Sequence, residues 1–464
     1  MVHSNWQVRG IVVLDVGSTN VKATLFDSSL NEVESRTTAS LLGNEPYLNK
    51  NLEPAFNFAN QSIGDFDRIL PVDAIVPCAH GSALALLDAN YELTLPIMHY
   101  EAEPPASVCK AYQEIEPGFS EVLAPTNPGA LTLGRQLLWQ EMDFPTQFQH
   151  TSTILPLGQY VALRLGGRAV AEVTALGAQT HLWAPLLRGY SQLAKHRGWA
   201  GKFAPMARAW DVIGTFNGNS LSGTGAILAG IHDSNANLLR YLKMDDFCLL
   251  STGTWIIAFD TVADVGSLKS EFDQVSNTTV FGDPVACCRF MGGREFEAVA
   301  AGADPGLTSF SSASRLVANQ TMAKPSFTTS GGPLPQTAGK GEILGDVKDD
   351  PIERAGLASI YCAQMTVTAL KAMSTSSRII VDGPFSKNSV FLTCLRQLMD
   401  GHEVFTADDQ NGTSKGAAML ALMEDGKLPD LPETLISVES STIPELDSYH
   451  QRWLGCFQVG SDSD

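Results

Sequence analysis

An α/β fold built from two related halves is what this sequence predicts, and three observations carry the prediction. The first is the stretch from Gly10 to Asp27: a continuous apolar run, a small-residue turn at Gly17-Ser18-Thr19-Asn20, then a segment placing Val21, Ala23 and Leu25 on one face. That pattern is two strands joined by a tight hairpin. The second is its recurrence from Phe247 to Asp260, again an apolar strand, a Ser/Thr/Gly turn, an apolar strand and a closing Asp. A scheme repeated within one chain implies related halves. The third is length: 464 residues suffice for two or three domains at roughly 150 residues each.

Each hairpin has a chemical reading as well as a structural one. Gly, Ser, Thr and Asn turn sharply and leave backbone N–H groups pointing outward, which suits phosphate oxygens. Asp15 closes the first strand, where a carboxylate holds a magnesium ion through water. An ordinary hairpin explains either copy alone. Two copies facing one polyphosphate explain the pair.

Composition narrows the class. Hydrophobic residues make up 44% and charged residues 17%, ordinary for a globular enzyme. Lys plus Arg number 31 against 50 Asp plus Glu, a net charge of −19. Such an excess of carboxylates repels nucleic acid and anionic membrane, so neither is expected as a partner. No apolar stretch approaches the roughly 20 residues of a membrane helix, and the first nine residues lack the apolar core of a signal peptide. Eight cysteines are scattered without a CxxC pair, and Cys287 and Cys288 are adjacent. They read as reduced thiols of a cytoplasmic protein. No two of the nine histidines lie within five positions, so a helical His-metal motif is absent.

The remaining elements follow in order. Ala74-Ile75-Val76 predicts a buried strand leading into Pro77-Cys78-Ala79-His80-Gly81-Ser82, with Leu84–Leu87 and a turn at Asp88–Asn90 after it. His80 there serves either a ligand hydroxyl or the core. Leu133 to Met142 predicts a helix burying Leu137, Leu138 and Trp139. A strand running to Gly230 delivers Asp233 to the first turn of a helix from about Ser234, where it acts as a base or as a cap. Residues 324–345, rich in Gly, Pro, Ser and Thr, predict an exposed loop. Ile360 to Met373 predicts a long buried helix. Arg378–Asp382 reads as a strand, followed by a turn and a helix through Met399 that Asn388 caps unless it bonds a nucleotide. Gly412 opens a last helix that Gly426 stops. The tail from Leu428 is rich in Pro, Ser and acidic residues, with Ser461–Asp464 frayed.

Taken in order, these motifs resemble the FGGY family of carbohydrate kinases over roughly residues 10–425. Asp15-Val-Gly-Ser-Thr-Asn-Val-Lys22 resembles the family's first phosphate motif and Ser251-Thr-Gly-Thr254 its second. The resemblance implies ATP contacts at Asp15, Gly17, Ser18, Thr19, Asn20 and Lys22, and at Thr252, Gly253 and Thr254. Magnesium would be held at Asp15 and Asp233. Gly383, Pro384, Phe385 and Asn388 match the adenosine motif, with Pro384 in place of its second Gly. His80 and Gly81 match the end of the sugar-lining turn, which Ala79 departs from. Glu101 falls where an Asp is usual, and Glu103 replaces an Arg. Asp233 matches the family's general base. The helix from Tyr160, the Glu172–Thr180 stretch and Gly416-Ala417-Ala418 resemble structural segments of the family.

What the resemblance implies is an actin-like, ribonuclease-H-like ATPase fold in two domains with a catalytic cleft between them. Residues 8–240 would form the sugar- and phosphate-binding domain, 241–427 the nucleotide-binding domain and 428–464 a tail. The implied activity is transfer of the γ-phosphate of ATP to a hydroxyl of a small sugar or polyol, on the fuculokinase and rhamnulokinase side of the family, with a ketose such as a deoxyhexulose or pentulose as acceptor. A homodimer is compatible with it. The departures at Ala79, Glu103 and Pro384 leave open a catalytically impaired binding protein of the same fold. An actin-like ATPase without a sugar substrate would share both hairpins but need neither His80-Gly81 nor Asp233.

Overall fold

The first hairpin forms where the apolar run and the turn place it. In the computed structural model, which describes residues 8–329, 332–407, 411–431 and 434–458, strand Gly10–Val16 pairs antiparallel with Asn20–Asp27, and Asp15 lies opposite Lys22. The run is apolar on both faces because both are covered. Val12, Leu14 and Val16 pack with Phe56, Ile63 and Phe66 of helix Glu53–Asp67. Ile11 and Val13 point the other way, toward Ala236 and Leu239 of helix Asp233–Leu239 and Ala417 and Ala418 of helix Gly412–Met419.

The chain divides into two compact units. Unit 1 comprises Met1–Lys243, Ser276–Pro284 and Asn411–Pro432, and unit 2 comprises Met244–Val275, Val285–Gln410 and Glu433–Asp464. In unit 1 the first strand also pairs parallel with Val72–Ala79, matching Asp15 to Cys78 and Val16 to Ala79. Val72–Ala79 in turn takes two short parallel partners, Ala226–Leu228 and Ile231–His232, with Ile231 beside Cys78 and His232 beside Ala79. The single strand expected to run to Gly230 is therefore two. The chain leaves the sheet at Ala229-Gly230, where Gly230 has φ +85°, and re-enters for two residues. This break carries Asp233 to the C-terminal end of the parallel strands, the edge at which α/β sheets collect ligands.

Unit 2 repeats the scheme. Cys248–Thr252 pairs antiparallel with Ile256–Asp260 and parallel with Arg378–Asp382, which pairs parallel with Glu403–Ala407. In each unit the leading strand of the hairpin thus has the later strand of the same unit as its parallel neighbour. The buried helix expected from Ile360 begins nine residues earlier, at Pro351, and runs to Met373. Proline is at home in a first helical turn, where its missing N–H leaves no bond unmade.

Two other expectations change. The segment 324–345 is not simply exposed: Ser326, Leu334 and Thr337 are buried. The Glu295 carboxylate holds the segment down by accepting from the Phe327 and Thr328 N–H groups and the Thr328 hydroxyl, and it also accepts from Tyr361 Oη. In the tail, Leu446–Gln458 is a helix whose Trp453 is fully buried and donates to Ala323 O at 2.7 Å. One apolar face is enough to dock a segment whose composition is otherwise polar. Residues 461–464 lie outside the described residues. The described residues contain no helix long and apolar enough to cross a membrane.

Candidate functional site

Two carboxylates meet at the edge where unit 1's parallel strands end. Asp15 closes the first strand, Cys78 stands beside it on the neighbouring strand, and Asp233 opens the helix that follows Ile231–His232. The Asp15 carboxyl is pushed up to about 7 by burial and by the negative charge of Asp233, with Lys22 opposing. Burial and the same two carboxylates push the Cys78 thiol up, so it is an inert wall rather than a nucleophile. The helix N-cap is His232, not Asp233. Oδ1 of Asp233 accepts from Ser234 N at 2.6 Å and from Ser234 Oγ at 3.2 Å. Among the described residues nothing donates to Oδ2, and the side chain is 30% exposed.

Behind Asp233 a polar network sets the His232 ring. Asn235 Nδ2 donates to Asn277 Oδ1 and to Thr278 O, which turns its carbonyl oxygen toward His232. His232 Nδ1 therefore donates to Asn235 Oδ1, at 2.5 Å, and Nε2 lies 3.3 Å from Asp233 Oδ1. Thr174 accepts from His232 N at 3.0 Å and is itself bound by the buried Glu172, the N-cap of helix Val173–Leu176.

His80 is buried beside this network. Its Nδ1 donates to Gly81 O at 2.5 Å, while Nε2 has no partner among the described residues. Burial, with Lys50 adding to it, lowers the ring to about 3, so it is neutral and Nε2 is an acceptor only. A small cavity is lined by His80, Gly81, Ser82, Gln159 and His232. Tyr100 leans edge-on against His80 at 5.5 Å and stacks on His99 at 4.6 Å.

The Gly17–Asn20 turn is held by residues distant in sequence. Gly17 N donates to Asn20 O, Ser40 N to Thr19 O and Ser40 Oγ to Gly17 O. Lys50, only 4% exposed, donates through Nζ to Gly17 O at 2.9 Å and Ser18 O at 3.2 Å. Burial lowers its ammonium to about 8. His99 Nδ1 accepts from Glu101 N, so Nε2 carries the proton and donates to Ser18 Oγ at 3.1 Å. Lys22 reaches Asn411 Oδ1, within the same unit, at 2.6 Å.

Unit 2 holds the second turn, Ser251–Thr254, and the segment Gly383–Asn388. The Thr252 hydroxyl donates to Asp382 O at 2.5 Å and accepts from Phe385 N at 3.2 Å, locking the turn to the end of strand Arg378–Asp382. Gly253 and Ser251 are half-buried, and Thr254 is exposed. Gly383 has φ +90° and ψ −165°, a conformation open essentially to glycine alone. Its backbone passes so close to Thr252 that a Cβ would lie 2.1 Å from Thr252 O. Gly383, Pro384, Ser386 and Lys387 line an open cleft together with Asp304–Gly306 and Thr406.

Several residues singled out from the sequence have other occupations. Asn388 caps helix Ser389–Leu398 by accepting from Phe391 N at 2.8 Å, and its amide donates to Pro305 O and Ser359 Oγ. Phe385 is buried edge-on against Phe296 and Phe391. Glu101 is exposed. Lys50, His99, Tyr100 and His232 surround the site without having been singled out as functional. Only the buried lysine carried a signal: an isolated Lys inside a turn-rich segment.

Comparison with known proteins places the chain by family and fold. Residues 244–429 match the family model for the C-terminal domain of FGGY carbohydrate kinases. The crystal structure of a carbohydrate kinase from Novosphingobium aromaticivorans is similar at 30% identity, TM-score 0.84, over 97% of this chain and 98% of that one. A ligand-bound xylulose kinase from Lactobacillus acidophilus shares the fold at 16% identity and TM-score 0.79, with 97% of each chain covered. A glycerol kinase from Plasmodium falciparum with ADP does so at 13% identity and TM-score 0.75, covering 98% of this chain and 99% of that one. No curated protein sequence matches the chain.

Proposed function

We propose, on the premise that this chain belongs to the FGGY family of carbohydrate kinases, that Asp233 is the base that accepts the proton of the sugar hydroxyl. The protein is an ATP-dependent phosphotransferase with an alcohol group as acceptor, and its fold is the two-domain, actin-like ATPase fold of that family. One observation carries the assignment of Asp233. One of its oxygens is held by Ser234, while the other has no donor among the described residues and is part-exposed beside Asp15. A helix cap would have its oxygen on the N2 or N3 amide; this one is on the residue next to it.

The chemistry follows from the groups present. A sugar hydroxyl is too weak an acid to ionise beforehand, so Asp233 takes its proton as the bond to phosphorus forms. His80 Nε2, an acceptor without a partner, orients a neighbouring hydroxyl. Gly17 N and Gly253 N are bonded within their own turns, to Asn20 O and Trp255 O, so the amides of Ser18, Thr19 and Thr254 hold the phosphate oxygens. The cleft at Gly383–Lys387 takes the adenosine, contacted by the backbone of Gly383 and Pro384. Transfer passes through a loose, in-line transition state in which positioning and charge neutralisation do most of the catalysis.

Magnesium fits the pair Asp15 and Asp233: burial, and then the charge of Asp233, raise Asp15, and a cation would relieve both. The described residues offer no group of three or more metal-ligating side chains, so the remaining ligands would be water and phosphate oxygens. The bound ion would offset negative charge on those oxygens.

For the acceptor we favour a ketose, a pentulose or deoxyhexulose. Support comes from the pattern at Val13–Asn20 and from the shared fold with a xylulose kinase. A cytoplasmic location accords with eight free cysteines. Coupled ADP-release assays over ketoses, aldoses and polyols test the reading. A ketose should raise ADP release at least a hundredfold over the sugar-free rate and yield a phosphorylated sugar. Equal rates with and without sugar would make the protein an ATPase, and sugar binding without product would make it a binding protein.

A further inference from the structure

The first phosphate turn has an uneven distribution of hydrogen-bonding groups. Its acceptors are taken by residues distant in sequence: Gly17 O by Lys50 and Ser40, Ser18 O by Lys50, Thr19 O by Ser40 N, and the Ser18 hydroxyl oxygen by His99. Its donors are not. Among the described residues no acceptor takes the N–H of Ser18 or Thr19, or the Ser18 O–H. Burying an ammonium is costly unless something compensates it. Here the compensation is two backbone carbonyls, and among the described residues no carboxylate is bonded to the Lys50 nitrogen. Had Lys50 been apolar, those carbonyls would point their partial negative charge into the region where phosphate must bind.

We infer that Lys50 and His99 are positioning residues that leave the backbone of the Gly17–Asn20 turn and the Ser18 hydroxyl presenting only donors to the phosphates of ATP. The inference rests on reading that turn as a polyphosphate site. Lys50 acts from the far side of the turn, as a cation drawing the carbonyls backward. His99 acts on one hydroxyl: by donating to Ser18 Oγ, it obliges the Ser18 proton to point outward. The ring is fixed for this task because its Nδ1 is bound by Glu101 N and its face is stacked on Tyr100. Since Tyr100 also leans on His80, one contiguous set of side chains supports both the phosphate turn and the wall of the sugar pocket.

The test uses the full chain and binding as well as turnover. Adenosine, ADP and ATP are titrated by calorimetry into the wild type, Lys50→Met, Lys50→Gln and Lys50→Ala, each checked by thermal melt. Adenosine affinity should be unchanged in all, while Lys50→Met should lose at least tenfold in ATP affinity and raise KM for ATP with the sugar KM within twofold. Lys50→Gln, which keeps donors without charge, should lie between. Propylammonium added to Lys50→Ala should restore ATP affinity and leave adenosine affinity unmoved, whereas rescue of a merely structural lysine would raise both. His99→Gln, with an amide near the position of Nε2, should retain more ATP affinity than His99→Phe. If Lys50→Met and Lys50→Ala keep the full gain from adenosine to ATP, the inference is wrong. A wild type that binds ATP no more tightly than adenosine would instead overturn the reading of the turn.

Discussion

Gly81 and His232 occupy one space: a Cβ at position 81 would lie 2.7 Å from His232 Nε2. The glycine leaves room for the imidazole next to Asp233, and the contact joins the turn proposed to line the sugar to the segment bearing the proposed base. Gly81→Ala should push the His232 ring away from both Asp233 and Asn235. We expect kcat to fall by about tenfold or more, comparable to disturbing an acid–base group, with ATP affinity little changed. Steady-state kinetics with both substrates varied would check this. Unchanged kcat would mean the ring has no part in holding Asp233.

Asp233→Asn keeps shape and hydrogen bonding toward Ser234 but removes the proton acceptor. Turnover should fall by roughly 10²–10⁴, while calorimetric affinities for ADP and sugar stay within a few-fold. A loss below about fivefold would return Asp233 to the role of a helix-terminal carboxylate.

Gly383→Ala introduces strain on two counts, a backbone at φ +90° and a Cβ 2.1 Å from Thr252 O. The backbone alone should destabilise the protein by on the order of 1–3 kcal/mol. Since Thr252 is bonded to both Asp382 O and Phe385 N, ATP affinity should drop with it. Chemical denaturation and ATP titration measure the two effects. Wild-type values in both would show that this close approach is dispensable.

Glu172 sets a pH dependence of stability. Burial raises its carboxyl from 4.5 to about 7, against the opposing bonds from Thr174 and Ala175. The folded chain therefore binds this proton more tightly than the unfolded one. Its contribution to stability is complete below the unfolded value near 4.5 and is lost as pH rises through about 7. Glu172→Gln should remove that dependence, so the stability of wild type relative to the variant should decline from pH 4.5 to 7.5, by at most about 3 kcal/mol. Urea unfolding of both proteins across this range decides the matter; parallel curves would contradict it.

Local order was legible because it is written in consecutive residues. Both hairpins, the helix at Leu133–Asp143 and the strand before Gly383 follow from apolar periodicity interrupted by small or turn-forming residues. Asp15 and Asp233 were legible too, since each is a carboxylate at the end of a strongly apolar stretch. The break at Ala229-Gly230 was not, because a two-residue strand has too few positions to show a period. Nor was the docking of the tail, where a single buried face with Trp453 outweighs a polar composition.

By itself the sequence determined that two strand–turn–strand units recur, that each turn can bend tightly, and that an acidic residue follows a strand near position 230. Only the tertiary structure decided what surrounds them. Lys50 reaches Gly17 across 33 residues and His99 reaches Ser18 across 81, while Asn277 fixes Asn235 and through it His232. Such pairings leave no periodic trace, because a donor and its acceptor need only share a position in space. Whether a buried lysine, a histidine tautomer or an idle carboxylate oxygen becomes chemically useful depends on which distant groups fold against it.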